Sequence, residues 1–209
     1  MKKKKMRKLV IVVLVVIAMI IGILIFINRD ESVHKLAQIY EHLNTNQTYL
    51  FEMEQNSDNK TIMAKKYDKT LIDQYSKDNH STTIVKDNTT YLVLHDREEY
   101  YIYGQNNVEQ NILTDGLKDV IAKPYSTGTE KIKGKRYSYE EYAGSTIFMF
   151  ASTLDINEED IKTRFFFDND GKLAYIKTMT GTKQELLKVN LSQEVDDSIF
   201  EIPLNYAEN

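Results

Sequence analysis

A chain of 209 residues, with 27 basic and 31 acidic side chains and 11% aromatics, is long enough for one domain with a real core. It has no Cys, which rules out disulfides, thiol catalysis, thiolate metal sites and a lipidated-cysteine anchor together. Six of the basic residues fall in "MKKKKMRK", so the rest of the chain carries 21 basic against 31 acidic groups, a net charge of −10. Such a surface is unsuited to nucleic acid, whose binding relies on basic patches.

The first element after that basic tail is "LVIVVLVVIAMIIGILIFI", Leu9 to Ile27, with no charged or strongly polar group in 19 residues. As a helix it would span about 28 Å, the hydrocarbon thickness of a bilayer. The basic flank should stay in the cytoplasm, leaving the remainder outside. A cleaved signal peptide has a shorter apolar run, and "NRDES" offers no small-x-small cleavage site. The expected layout is a cytoplasmic tail (1–8), an uncleaved transmembrane helix (9–27), a linker with an N-terminal helix (28–47) and an extracytoplasmic β-domain (48–209). The protein is thus expected in the cell membrane as a single-pass chain. Asn-x-Ser/Thr sequons occur at Asn46, Asn59, Asn79, Asn88 and Asn190, but richness in Asn, Lys, Ile and Tyr points to an AT-rich bacterial gene.

In "ESVHKLAQIYEHLN", Val33, Leu36, Ala37, Tyr40 and Leu43 form one helical stripe behind Ser32 as N-cap. His34 and His42 are eight residues apart, wider than the one-turn spacing a helical metal site wants, and read as surface groups. From Thr48 the period changes to two. "TYLFEMEQ", "NKTIMAKKYD", "KTLIDQYSKD", "STTIVKDNTTYLVLHD" and "EEYYIYG" read as an antiparallel meander with turns at Asp58-Asn59, Lys77-Asp78-Asn79 and Asp87-Asn88. Then Ile112, Leu113, Leu117, Val120 and Ile121 return to helical spacing up to Pro124, which predicts short inserted helices over about 111–123. A second set of strands follows: "EKIKGKRYSYEEYAG", "STIFMFAS", "IKTRFFFD", "KLAYIKTMTG" and "KQELLKVNLS". The C-terminal "DDSIFEIPLNYAEN" reads as an extended segment packed by Phe200, Ile202 and Tyr206.

Asp168-Asn169-Asp170-Gly171 has the look of a calcium loop. With Gly171 at the sixth EF-hand position, Phe166 and Lys177 fall where oxygen ligands are required, so the stretch is a hairpin turn. In "LHDREEY", His95 and Asp96 are neighbours that point apart in a strand, a poor acid–base pair. Glu158, Glu159 and Asp160 read as a solvated turn. With no phosphate loop, nucleophile elbow or His-rich metal pattern, the chain is not expected to be an enzyme or to carry a cofactor or metal.

"YLVL" (91–94), "YYIY" (100–103), "IFMF" (147–150) and "FFF" (165–167) are apolar on both faces, so both faces need cover. Helices could close an ordinary core over them, or an apolar ligand could supply the cover beneath a helical lid.

The order of elements resembles the outer-membrane lipoprotein carrier (LolA-like) family. "GKRYSYEEY" and "RFFFDNDGKLAYIKTMTG" look like its strand and aromatic hairpin, and Asp197, Phe200, Ile202, Pro203 and Tyr206 fall on its closing pattern. The resemblance implies an α+β, mostly antiparallel fold: a half-open curved β-sheet, or incomplete barrel, with a helical lid over an acyl-chain cavity. Here that fold would follow one N-terminal transmembrane helix. An uncleaved anchor would make the protein a stationary acceptor or sensor rather than a shuttle. Expected lining comes from Tyr91, Val93, Ile102, Phe148, Phe150, Phe165 and Phe167 in the strands, and from Ile112, Leu117, Val120 and Ile121 in the lid. The expected ligand is a lipid or a lipoprotein acyl chain. The alternative is a tethered interaction or regulatory module with a closed core, binding a membrane protein partner.

Overall fold

The alternation that begins at Thr48 becomes a run of strands joined by tight turns: β1 (Thr48–Asn56), β2 (Asn59–Lys66), β3 (Lys69–Ser76), β4 (Asn79–Lys86), β5 (Thr89–Leu94) and β6 (Glu99–Tyr103). Asp87 and Asn88 between β4 and β5 have φ of 52° and 58°. Positive φ at both central positions is what a type I′ turn needs to match strand twist. The structure, a computed structural model, describes residues 34–104, 112–143 and 161–209. The expected membrane span 9–27 lies outside them, as do "STIFMFAS" and Glu158–Asp160. Among the described residues no helix is long and apolar enough to cross a membrane.

The second half supplies β7 (Tyr125–Ile132), β8 (Lys135–Ala143), β9 (Ile161–Phe167), β10 (Leu173–Thr180), β11 (Lys183–Ser192) and the short β12 (Ala207–Glu208). Between β9 and β10, Asp168 Oδ1 accepts the backbone N–H groups of Asp170 and Lys172, both at 2.9 Å, and Gly171 has φ 77°. The acidic stretch is a turn closed on its own carboxylate. β1 pairs with β11, so both halves join in one sheet ordered β12-β6-β5-β4-β3-β2-β1-β11-β10-β9-β8-β7. Every pairing is antiparallel except β12 on β6. The result is a mostly antiparallel, open curved sheet with two helices among the described residues.

Both helices lie on one face. Leu36 and Leu43 of α1 (Lys35–Asn46) and Leu113, Leu117 and Val120 of α2 (Ile112–Ile121) share a core with Tyr49, Phe51, Met53, Met63, Phe165, Phe167, Ile176 and Val189. A different core forms on the opposite face of β2–β6. There Ala64, Leu71, Ile84 and Val93 are covered by the C-terminal segment, which plants Phe200 at 0% exposure. The packing role expected of Phe200, Ile202 and Tyr206 is seen, through a 3₁₀ turn at Asp197–Phe200.

Which side chain reaches which core depends on one irregularity. The β1–β2 register shifts between Glu54 and Asn56. A bulge of this kind exchanges the face on which every later partner falls. Phe51 consequently stands across from Met63, then Ile72, Thr83, Leu92 and Tyr101. Leu50 stands across from Ala64, Leu71, Ile84, Tyr91 and Ile102 on the other face.

The start of α1 is capped from a distance. Glu140 of β8, 3% exposed, accepts the Lys35 N–H at 2.6 Å and the Leu36 N–H at 3.2 Å, and Tyr142 donates its hydroxyl to Glu140 at 2.9 Å. Burial, reinforced by this carboxylate, pushes the Tyr142 hydroxyl pKa well up. An anion at a helix N-terminus meets both the free N–H groups and the positive end of the dipole. On the opposite face of the sheet, Arg164 bonds Glu130 and Glu141 at 2.6 Å each, and Lys177 bonds Glu130 at 2.9 Å. Lys177 foremost, with Arg164, holds the Glu130 carboxyl below the usual range.

Two outcomes follow for stability. Glu140→Ala should cost about 2 kcal/mol, because it strips the cap and leaves buried donors unmet; Glu140→Gln should cost less, as read from urea midpoints by circular dichroism. A depressed folded pKa means that the Glu130 contribution is present above the ordinary Glu value, about 4.3, and is lost as pH falls through the folded value. Glu130→Gln should therefore cost up to about 1 kcal/mol at neutral pH, and its midpoint should converge on that of the wild type as the pH drops below that range.

Candidate functional site

α1 and α2 cover the face of β1, β2 and β9–β11, but the same face of β3–β6 keeps apolar groups only half buried. Ile72, Val85, Leu92, Leu94 and Tyr101 form this stripe, each at an intermediate position in its strand. Tyr103 at its edge is 49% exposed. Along the strands the stripe runs into an open cleft of about 360 Å³, lined by Met53, Thr61, Gln74, Ser81, Glu185 and Leu187 with the ends of the first hairpins. That volume falls within the range of small-ligand pockets, roughly 300–1,000 Å³. The lining is apolar at Met53 and Leu187 and polar towards the rim, where Asn59, Ser76 and Asn79 stand.

Under α2 the space is far smaller. The void bounded by Tyr49, Met63, Ile72, Val85 and Leu113 measures about 40 Å³. An acyl chain does not fit there.

The residues expected to line a cavity fall into separate groups. Phe165, Phe167, Leu117 and Val120 are at most 3% exposed and sit together in the helix-bearing core, with Ile121 packed against it. Tyr91 and Val93 belong to the opposite face, against the C-terminal segment, and Ile102, paired with Tyr91, is 45% exposed on that side. Phe148 and Phe150 lie outside the described residues, as does the side chain of Ile112. Of the neighbours in those strands, Leu92, Leu94 and Tyr101 occupy the face that adjoins the cleft.

The opposite face carries a polar cluster of three strands and the C-terminal segment. His80 of β4 and His95, just past β5, stack with ring centres 3.8 Å apart and planes 15° from parallel. His80 Nε2 lies 2.9 Å from Asp73 Oδ1. Thr82 Oγ1 is 2.6 Å from the same carboxylate oxygen and 2.7 Å from His95 Nε2, while His95 Nδ1 is 3.0 Å from the Tyr206 hydroxyl. One neutral tautomer satisfies all these contacts: Tyr206 donates to Nδ1, Nε2–H donates to Thr82, and Thr82 donates to Asp73. Asp96 turns away from His95 and accepts the His80 backbone N–H at 2.9 Å. Donor atoms of Asp73, His80 and His95 lie within 4.8 Å of one another, close enough to hold a metal ion.

No family model and no curated protein matches this chain. Among solved structures, an uncharacterized conserved protein from Thermus thermophilus is similar at 6% identity and a TM-score of 0.44, covering 83% of this chain and 98% of that one. The lipoprotein LppX of Mycobacterium tuberculosis is similar at 12% identity and a TM-score of 0.43, covering 79% of this chain and 99% of that one.

Burial, aided by the positive charge that His80 can carry, lowers the His95 pKa. The folded state thus favours the neutral imidazole, and stability is lost as pH falls from the ordinary His value towards the folded one. In a two-dimensional NMR titration, the His95 ring signals should move at a pH below the ordinary midpoint of about 6.5.

Proposed function

We propose that the chain is a single-pass membrane protein whose extracytoplasmic sheet binds an apolar ligand, the acyl chain of a lipid or lipoprotein, along its helix-bearing face. The observation that carries this reading is the half-buried stripe of Leu92, Leu94 and Tyr101, continued by Ile72 and Val85 beside Leu113 of α2, which leads into the 360 Å³ cleft. Contiguous apolar surface of this kind marks an interaction site. The apolar run Leu9–Ile27 behind a basic tail supplies the tether. The site needs no reactive group. Burying a methylene contributes about 0.8 kcal/mol, so ten of them outweigh a large part of the cost of association.

The chain meets the cleft differently from a lidded barrel. The ligand would lie across β2–β5 at the hairpin end rather than beneath α2, where 40 Å³ leaves no room. That tight packing favours a second reading, a closed module that presents its surface to a membrane protein partner.

Mass spectrometry of an organic extract of the full-length protein, purified in mild detergent, separates the two. Lipid should co-purify, and an acyl-chain fluorophore should compete for the site. Ser81→Trp, which fills the cleft floor, should weaken the fluorophore at least about tenfold, the loss of roughly two methylenes of contact, with an unchanged unfolding midpoint. A protein that yields no lipid and does not respond to the fluorophore, yet crosslinks stoichiometrically to one partner in membranes, would establish the second reading instead.

A further inference from the structure

We infer that Asp73, His80 and His95 form a binding site for a divalent transition-metal ion of the zinc class, on the face of the sheet away from the helices. Two imidazole nitrogens and one carboxylate oxygen make a donor set suited to such ions, which take three protein ligands and leave a fourth position for water.

The site is built by the sheet rather than by a flexible loop. β3, β4 and β5 are held in continuous register, which sets His80 near the start of β4 beside His95, just past β5. Asp73 stands across from Thr82 in the neighbouring pair. The three donor atoms fall within 4.8 Å of one another without any strand having to move. Thr82 Oγ1 sits between the Asp73 oxygen at 2.6 Å and His95 Nε2 at 2.7 Å. Its hydroxyl bridges two of the groups an ion would bridge, so an ion would have to displace it from one of these contacts.

The outer contacts are those a metal site needs. A ligating imidazole presents one nitrogen to the ion and gives its other N–H to an oxygen, which fixes ring orientation. His95 can do this with Tyr206, whose hydroxyl is 3.0 Å from Nδ1. The His80 backbone is pinned by the Asp96 carboxylate at 2.9 Å. The rings of His80 and His95 lie face to face at 3.8 Å, so taking up one ion would require them to turn out of the stack until their in-plane lone pairs converge. The ion would also join the C-terminal segment to the sheet, because Tyr206 reaches the site from the stretch that plants Phe200.

The remaining histidines, His34 and His42, are not members of the cluster and provide the control. Full-length protein without an affinity tag, stripped with a chelator, is titrated with Zn²⁺ in a calorimeter and with Co²⁺ in a visible spectrophotometer. The site predicts saturation at one ion per chain and the intense visible bands of low-coordinate cobalt. His80→Ala, His95→Gln and Asp73→Asn should each weaken Zn²⁺ binding by more than about tenfold, and Tyr206→Phe by about tenfold. A His34→Ala/His42→Ala chain should bind as the wild type does. Circular dichroism confirms that each variant is folded, and the three ligand variants remove different groups, so one unfolded variant leaves the test intact. The inference is overturned if wild-type protein shows no saturable ion. It is equally overturned if folded His80→Ala and Asp73→Asn chains bind as tightly as the wild type.

Discussion

Pleating dictates that neighbouring residues of a strand face opposite sides, and in this sheet one bulge decides which side is which. Two-residue turns carry a fixed register from β2 to β5, so every side chain in that stretch takes its face from the strand before it. The shift between Glu54 and Asn56 is the point at which β1 sets the order. Continued without it, the register would bring Phe51 across from Ala64, and Tyr91 and Ile102 would join the helix-bearing face. With it, Leu92 and Tyr101 take that face and Tyr91 goes to the C-terminal segment.

The two faces are closed by different means, and the difference leaves surface to spare. α1 is held to β8 by the buried Glu140 carboxylate, and its Leu36 and Leu43 enter the core shared by both halves of the sheet. It therefore sits over the join between β1 and β11, with α2 packed beside it. Cover is best where the helices lie and thins towards β5 and β6. On the opposite face, β2–β6 are closed by a strap of chain rather than a helix. Phe200 fills the centre, and Lys66 and Lys69 meet Asp197 at 2.6 and 3.2 Å along the strap.

Much of this is legible in local pattern. The meander from Thr48, the helical stripe at Leu36, Tyr40 and Leu43, the inserted helix and the packing of Phe200 all depend on periodicity within short windows. The acidic turn is settled by elimination, because Phe166 and Lys177 stand at ligand positions. What escapes local pattern is long-range. Glu140 caps a helix more than a hundred residues away in the chain, and nothing beside it in "YSYEEYAG" singles it out from Glu141. The bulge carries no local signature in "FEMEQN". Tyr91, Val93 and Ile102 therefore read as cavity residues, although the first and last follow Ala64 and Ile84 to the other face and Val93 joins that core. The histidine pair is within reach. Once the turn is placed at Asp87-Asn88, counting back from it and forward from it lands on His80 and His95 together.

The same strands serve both faces, and that would tie the two proposed sites together physically. Ile72 precedes Asp73, and Leu94 precedes His95, so these two apolar side chains of the stripe each share a backbone link with a member of the polar cluster. An acyl chain lying along β3–β5 would press on the pleat from one side, while an ion bridging Asp73, His80 and His95 would fix the spacing of those strands from the other. Strand spacing and twist in an antiparallel sheet are set by backbone hydrogen bonds that cannot change on one face alone. A sheet stiffened at its polar cluster would therefore present a better defined apolar surface, and it would lose less conformational freedom if a ligand settled on it.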